Sequence, residues 1–165
     1  MTSFTRWLPT FLAFPLGGLI AIETVGSVHD PLSAAAAGLL AGAVIGTGQW
    51  LALRASGVGR RWIAYTAAAM SVGSALAALV TGSGTELADV MLAGLVTGAA
   101  VGGAQATLLG RGAATWVAVT GAAWSLGWLA TWLTIVDIER GYAVFGSSGA
   151  IVATLLTGLA LRVAR

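Results

Sequence analysis

Few side chains in this sequence could do chemistry, and what is missing narrows the field first. There is no Cys, so thiolate nucleophiles, disulfides and Cys-ligated zinc or iron–sulfur centres are excluded. All eight basic residues are Arg. Without Lys there is no Schiff base to retinal or pyridoxal and no Ser–Lys dyad. The single His, His29, rules out bis-His haem ligation by one chain. The acids are Glu23, Asp30, Glu86, Asp89, Asp137 and Glu139. With His29 they could ligate a cation weakly, but no pair has the spacing of a metal site. Asp30 stands where it would cap a helix, and Glu86 and Asp89 suit a positive first helical turn. No catalytic residue, cofactor or metal is expected.

Three sets of residues remain as candidates. Glu23 is the first. If its helix continues to Val28, the carboxylate lies about one and a half turns inside a membrane boundary, where ionisable groups are costly and often functional. If the helix ends at Glu23, the group sits among headgroups. Gln49, Gln105 and Thr157 form the second set. They could bind or filter a polar solute, or hydrogen-bond one helix to the next. Trp124, Trp128 and Trp132 form the third, recurring every four residues on one helix face. Such a stripe could stack on a flat apolar ligand such as a quinone, meet a partner subunit, face lipid or pack inside the bundle.

Gly146-Ser147-Ser148-Gly149, leading into Ala150-Ile151, resembles the Gly-x-Ser-Gly nucleophile motif of rhomboid intramembrane proteases over six residues. Rhomboids take the base from a His in a later helix. Here the only His lies in the first loop, and a Ser without a base is an unactivated hydroxyl. Packing of small residues is the expected role of this segment.

The elements that carry these residues follow from composition. The chain of 165 residues is 58% hydrophobic and only 8% charged, where soluble domains carry about 25% charged residues. Its mean hydropathy is +0.91. Most of such a surface must face lipid. About 20 apolar residues cross roughly 30 Å of hydrocarbon, and the pattern predicts an all-α integral membrane protein of six transmembrane helices. These run over 7–23 or slightly beyond, 31–54, 62–81, 86–109, 113–136 and 142–162. Asp30 caps the second, with Pro31 at its first position, and Gly82-Ser83-Gly84 ends the third. Pro15 is expected to kink the first, which is read as a span and not a signal peptide.

An internal repeat organises the helices. Ala37-Gly38-Leu39-Leu40-Ala41-Gly42 recurs 56 residues later as Ala93-Gly94-Leu95-Val96-Thr97-Gly98. The same offset carries Gly46 onto Gly102 and Gln49 onto Gln105. Trp7, Trp62 and Trp116 open the odd-numbered helices, followed at equal distances by Gly18, Gly73 and Gly127. The sixth helix aligns with the second at an offset of 108, pairing Gly38 with Gly146. The chain therefore reads as one transmembrane domain, 1–165, of three tandem helical hairpins (6–54, 61–110 and 113–162). Units with two crossings each share one orientation, so the axis relating them is a pseudo-threefold along the membrane normal. Mitochondrial carriers resemble this plan in having three two-helix repeats, but their acidic–basic signature after a helix-ending Pro is missing here. Small residues every fourth position on the second, fourth and sixth helices predict close backbone packing.

Seven Arg (6, 54, 60, 61, 111, 162 and 165) flank one set of helix ends, while Arg140, His29 and all six acids flank the other. That bias predicts a multi-pass protein of the cytoplasmic membrane with both termini in the cytoplasm. It also accounts for the pI near 9.9 without a nucleic-acid partner. Trp7, Trp50, Trp62 and Trp116 are expected in the aromatic belt at that interface. The functional expectation is a non-catalytic structural or accessory membrane subunit, with a protein partner or homo-oligomer held through the Trp stripe. The alternative is a small-solute or ion permeation pathway through the Gln ring, with Glu23 and the acidic mouth at its outer end.

Overall fold

The computed structural model describes residues 3–109, 112–134 and 142–163, and among these there is no strand. Helix α1 (Ser3–Trp7) runs through a 3-10 stretch (Leu8–Leu12) into α2 (Ala13–Val25). Then come α3 (Pro31–Leu53), continued by a 3-10 turn over Arg54–Ser56, α4 (Arg61–Thr81), α5 (Leu87–Leu109), α6 (Ala113–Trp132) and α7 (Ser147–Val163). Four helical stretches are long and apolar enough to cross a membrane: Phe4–Val25, Pro31–Ser56, Arg61–Thr81 and Leu87–Leu109. The other two fall short of that standard. In α6 four Trp and three Thr dilute the aliphatic content, and α7 has only 17 residues.

Local chemistry sets the helix ends. The Asp30 carboxylate accepts from the Leu32 and Ser33 amides at 2.8 and 3.0 Å, and the Ser33 hydroxyl accepts from the Asp30 amide at 3.2 Å, a closed capping box ahead of α3. These donors hold the Asp30 carboxyl below its ordinary pKa. Gly26 at φ 87° stops α2, and Gly82 at φ 62° stops α4, conformations that L side chains rarely adopt.

Two boundaries differ from the sequence reading. The first helix carries a 3-10 stretch at Leu8–Leu12, with Pro9 at its start, which the sequence reading did not place. The stretch and Pro15 are connected, because the amide that Pro15 lacks would have bonded the Phe11 carbonyl, and Phe11 is inside the 3-10 stretch. The last helix starts at Ser147 rather than at residue 142. Val144 and Phe145 are buried instead in a non-helical segment, whose Gly146 amide donates to the Thr131 hydroxyl at 3.1 Å. Burying a Phe ring stabilises by about 1.5–3 kcal/mol, enough to offset one lost helical turn. The expected helical residues 135 and 136 lie outside the described residues, as do Arg111, Asp137, Glu139, Arg140 and Arg165.

Each helix packs on its sequence neighbour, and α7 closes on α1 and the 3-10 stretch. The most extensive contacts join α3 to α4 and α5 to α6. At these contacts the backbones come close over glycine. A Cβ on Gly38 would lie 2.7 Å from the Met70 carbonyl oxygen, and one on Gly94 2.7 Å from that of Trp124. On α7, a Cβ on Gly158 would lie 2.8 Å from the Trp7 ring. The glycine faces therefore look onto the following helix and not onto a common axis. The core between the helices is filled by side chains. One cluster centres on Phe14, Ile45, Met70, Val101, Trp124 and Phe145, and a second on Trp7, Trp62, Trp116, Leu53 and Leu161.

Candidate functional site

The second core cluster surrounds the polar centre of the molecule. A buried indole must find an acceptor for its one N–H, and all three helix-opening Trp do so in the same way. Trp62 Nε1 donates to Gln49 Oε1 at 3.0 Å, Trp116 Nε1 donates to Gln105 Oε1 at 3.1 Å, and Trp7 Nε1 donates to Thr157 Oγ1 at 3.1 Å. Trp7 also reaches the Thr154 carbonyl at 3.1 Å. Gln105 Nε2 then bridges to Gln49 Oε1 at 2.8 Å and to Thr66 Oγ1 at 2.9 Å. The indoles pack on one another, Trp116 lying 6.1 Å from Trp7 and 6.4 Å from Trp62 between ring centroids.

Of the expected ring of Gln49, Gln105 and Thr157, the structure brings the two Gln together. Thr157 joins them only through the packed indoles, and its hydroxyl donates to the Ala153 carbonyl of its own helix at 2.7 Å. All three side chains are buried. The aromatic belt expected at this end is corrected: Trp7, Trp62 and Trp116 are 1%, 0% and 3% exposed, because each indole N–H is drawn to an inward acceptor. Trp50 alone of the four stays at the rim, with the Arg54 and Arg60 guanidinium carbons 5.9 and 5.5 Å from its ring.

The Trp stripe of α6 also turns inward. Trp124 and Trp128 are buried, and the Phe145 ring lies 5.6 and 6.1 Å from them, edge to face. Phe14 stacks on Phe145 at 5.1 Å. Neither Phe14 nor Phe145 stands out in the sequence, because a lone Phe in an apolar run carries no positional signal. Of the expected partner face, only Trp132 remains at the surface.

A cavity of about 80 Å³ opens at the end of the bundle that carries Asp30 and Glu86. Ser74, Thr97, Trp124 and Trp128 line it, together with residues 83–85 and 142–144. Ser74 and Thr97 are 9% and 7% exposed, and no charged side chain lines the walls. Glu23 is not part of it. The carboxylate lies exposed in the last turn of α2, two residues before the helix ends at Val25.

Nor is there a metal-binding cluster among the described residues. No group of three His, Cys, Asp or Glu could share a metal ion. The Ser148 hydroxyl meets Thr134 Oγ1 at 2.8 Å and the Ala130 carbonyl at 3.3 Å, contacts that tie α7 to α6 and supply no base. Comparison with protein-family models, with curated proteins and with solved structures gives no match.

Proposed function

We propose that this chain is a multi-pass protein of the cytoplasmic membrane and serves as a non-catalytic structural or accessory subunit. In this reading six helices cross the bilayer as three tandem hairpins about a pseudo-threefold axis, with both termini cytoplasmic. Four long apolar stretches support the membrane assignment. The threefold relation is supported by the matched bonds of Trp62 to Gln49, Trp116 to Gln105 and Trp7 to Thr157. It is supported too by glycine-lined contacts of α3 on α4, α5 on α6 and α7 on α1.

The observation that carries the accessory reading is the state of the polar centre. Gln49, Gln105 and Thr157 are the residues a conduit would use, and their acceptors are taken by buried indoles and by each other. Rings fill the space around them. A solute would have to break several buried hydrogen bonds to pass. Permeation is favoured by one feature only, the cavity that the Ser74 and Thr97 hydroxyls line together with Trp124 and Trp128. The partner of an accessory subunit would meet the exposed rim of α6 at Trp132 and Leu133, as a second polypeptide or another copy.

Native mass spectrometry of the protein extracted in its own lipids tests this reading. A stoichiometric second chain or a defined homo-oligomer is expected. A monomer whose proteoliposomes pass a small solute would replace it with the permeation pathway.

A further inference from the structure

An apolar groove of about 800 Å³ runs along the outside of the bundle between the first helix and α3. Leu12, Leu16 and Ile20 form one wall, and these side chains are 57%, 52% and 37% exposed. Leu51, 48% exposed, stands on the other. The floor is low because α3 presents Ala43, Thr47 and Gly48 there. A Cβ on Gly48 would lie 2.9 Å from that of Ala13, so the two helices touch at the floor of the groove. From Arg6 to Ile20 the groove covers about 21 Å at 1.5 Å per residue. One leaflet of a bilayer is half of roughly 30 Å of hydrocarbon, so the groove spans a leaflet and the headgroup level beside it.

Arg6 stands exposed at the mouth. Of the other described cations at this end, Arg54 and Arg60 lie by the Trp50 ring and Arg162 lies 3.8 Å over Phe4, while Arg61 is exposed and does not line the groove. Arg6 has neither a ring nor an ion-pair partner among the described residues. Nor is there a described acid at this end, since Glu23, Asp30, Glu86 and Asp89 all lie at the other. The Thr47 hydroxyl on the groove floor is already satisfied by the Ala43 carbonyl at 2.7 Å, so it asks the occupant for no polar group.

We infer that this groove seats one anionic phospholipid, its phosphate on Arg6 and an acyl chain laid along Leu12, Leu16 and Ile20. Hydrocarbon matches the lining, and a single net negative charge matches the one guanidinium that lines the groove. The inference depends on the membrane reading above.

The test is native mass spectrometry after reconstitution into vesicles of equal parts phosphatidylglycerol and phosphatidylcholine. Wild-type protein is expected to retain one phosphatidylglycerol per chain in preference to phosphatidylcholine. Arg6→Gln should lower that preference about fivefold, the effect of one basic residue near an anionic surface. Arg61→Gln, which removes the same charge from the same end outside the groove, should leave it unchanged. Thr47→Trp fills the groove and should abolish retention of either lipid, whereas Leu79→Trp, on an exposed face of α4, should not. Near-ultraviolet circular dichroism of each variant confirms that the bundle is intact, and Leu16→Trp serves if Thr47→Trp does not fold. Equal retention of the two lipids, equal effects of the two Arg variants, or a second copy of the chain in place of lipid would overturn the inference. Recovery of the wild-type protein outside the membrane fraction would instead overturn the membrane reading, before any lipid is weighed.

Discussion

Gln105 Nε2 donates to Gln49 Oε1 at 2.8 Å, joining α5 to α3 through two side chains that are 1% and 4% exposed. Neither amide acts alone. Each also accepts from the Trp that opens the next helix, so two amides and two indoles connect α3, α4, α5 and α6. In an apolar interior such a network stabilises only while every member keeps a partner.

A double-mutant cycle on Gln49→Leu and Gln105→Leu measures the link. Each single variant should lower stability by about 1–3 kcal/mol, because Leu removes an amide and leaves an indole N–H unpaired. The coupling between them should be about 0.6–1.7 kcal/mol, as for polar pairs between membrane helices. Reversible unfolding in mixed micelles provides the measurement, and additive losses would mean that the two amides do not hold one another.

Glycines on one helix should respond in opposite directions. A Cβ on Gly94 would lie 2.6 Å from Trp128 Cδ1 and 2.7 Å from the Trp124 carbonyl, whereas one on Gly103 meets nothing within 4 Å. Gly94→Ala should therefore cost about 1–3 kcal/mol through overpacking. Gly103→Ala should be neutral or stabilising by up to about 1 kcal/mol, through the helix propensity of Ala. Thermal melting of both variants in one detergent compares them directly.

The inward turn of the Trp stripe separates stability from association. Trp128 packs against Phe145 and over Gly94, so Trp128→Ala should lower stability by about 3–5 kcal/mol. Trp132 is 36% exposed, and Trp132→Ala should stay within about 0.5 kcal/mol of the wild type while weakening any partner or oligomer held on that rim. Co-purification and melting of the two variants side by side give both readouts. Loss of association with Trp128→Ala alone would move the partner face away from the Trp132 rim.

The capping box predicts a pH dependence at the start of α3. The Asp30 carboxyl is held below its ordinary pKa by the Ser33 and Leu32 amides, with a smaller contribution from the Ser33 hydroxyl. A folded-state pKa below the unfolded one gives stability that is fully present above the unfolded value and lost as pH falls through the folded value. Wild type should melt above Asp30→Asn near neutral pH, and the gap should close as pH drops below the ordinary carboxylate range. A gap that persisted at the lowest pH would assign the effect to something other than the ionised carboxylate.

Much of the fold was legible in the residues themselves. Long apolar runs of about 20 residues and more, with few charges, pointed to helices, and the described residues form helices and no strand, with four stretches long and apolar enough to cross a membrane. Asp30-Pro31 and Gly82 placed their helix ends because capping and positive φ are local chemistry that needs no neighbour. The recurrence of Gly38 with Gly94 and of Gln49 with Gln105 was written in the spacing. What each recurring residue touches was not, because a helical period fixes the face a side chain occupies but not the helix opposite. Only tertiary packing turned Trp7, Trp62 and Trp116 inward onto Thr157, Gln49 and Gln105, where a buried indole N–H needs an acceptor that surface water would otherwise supply. Only tertiary packing drew Phe145 out of a helix into the core, where one apolar ring between Phe14, Trp124 and Trp128 outweighs a turn of backbone hydrogen bonds.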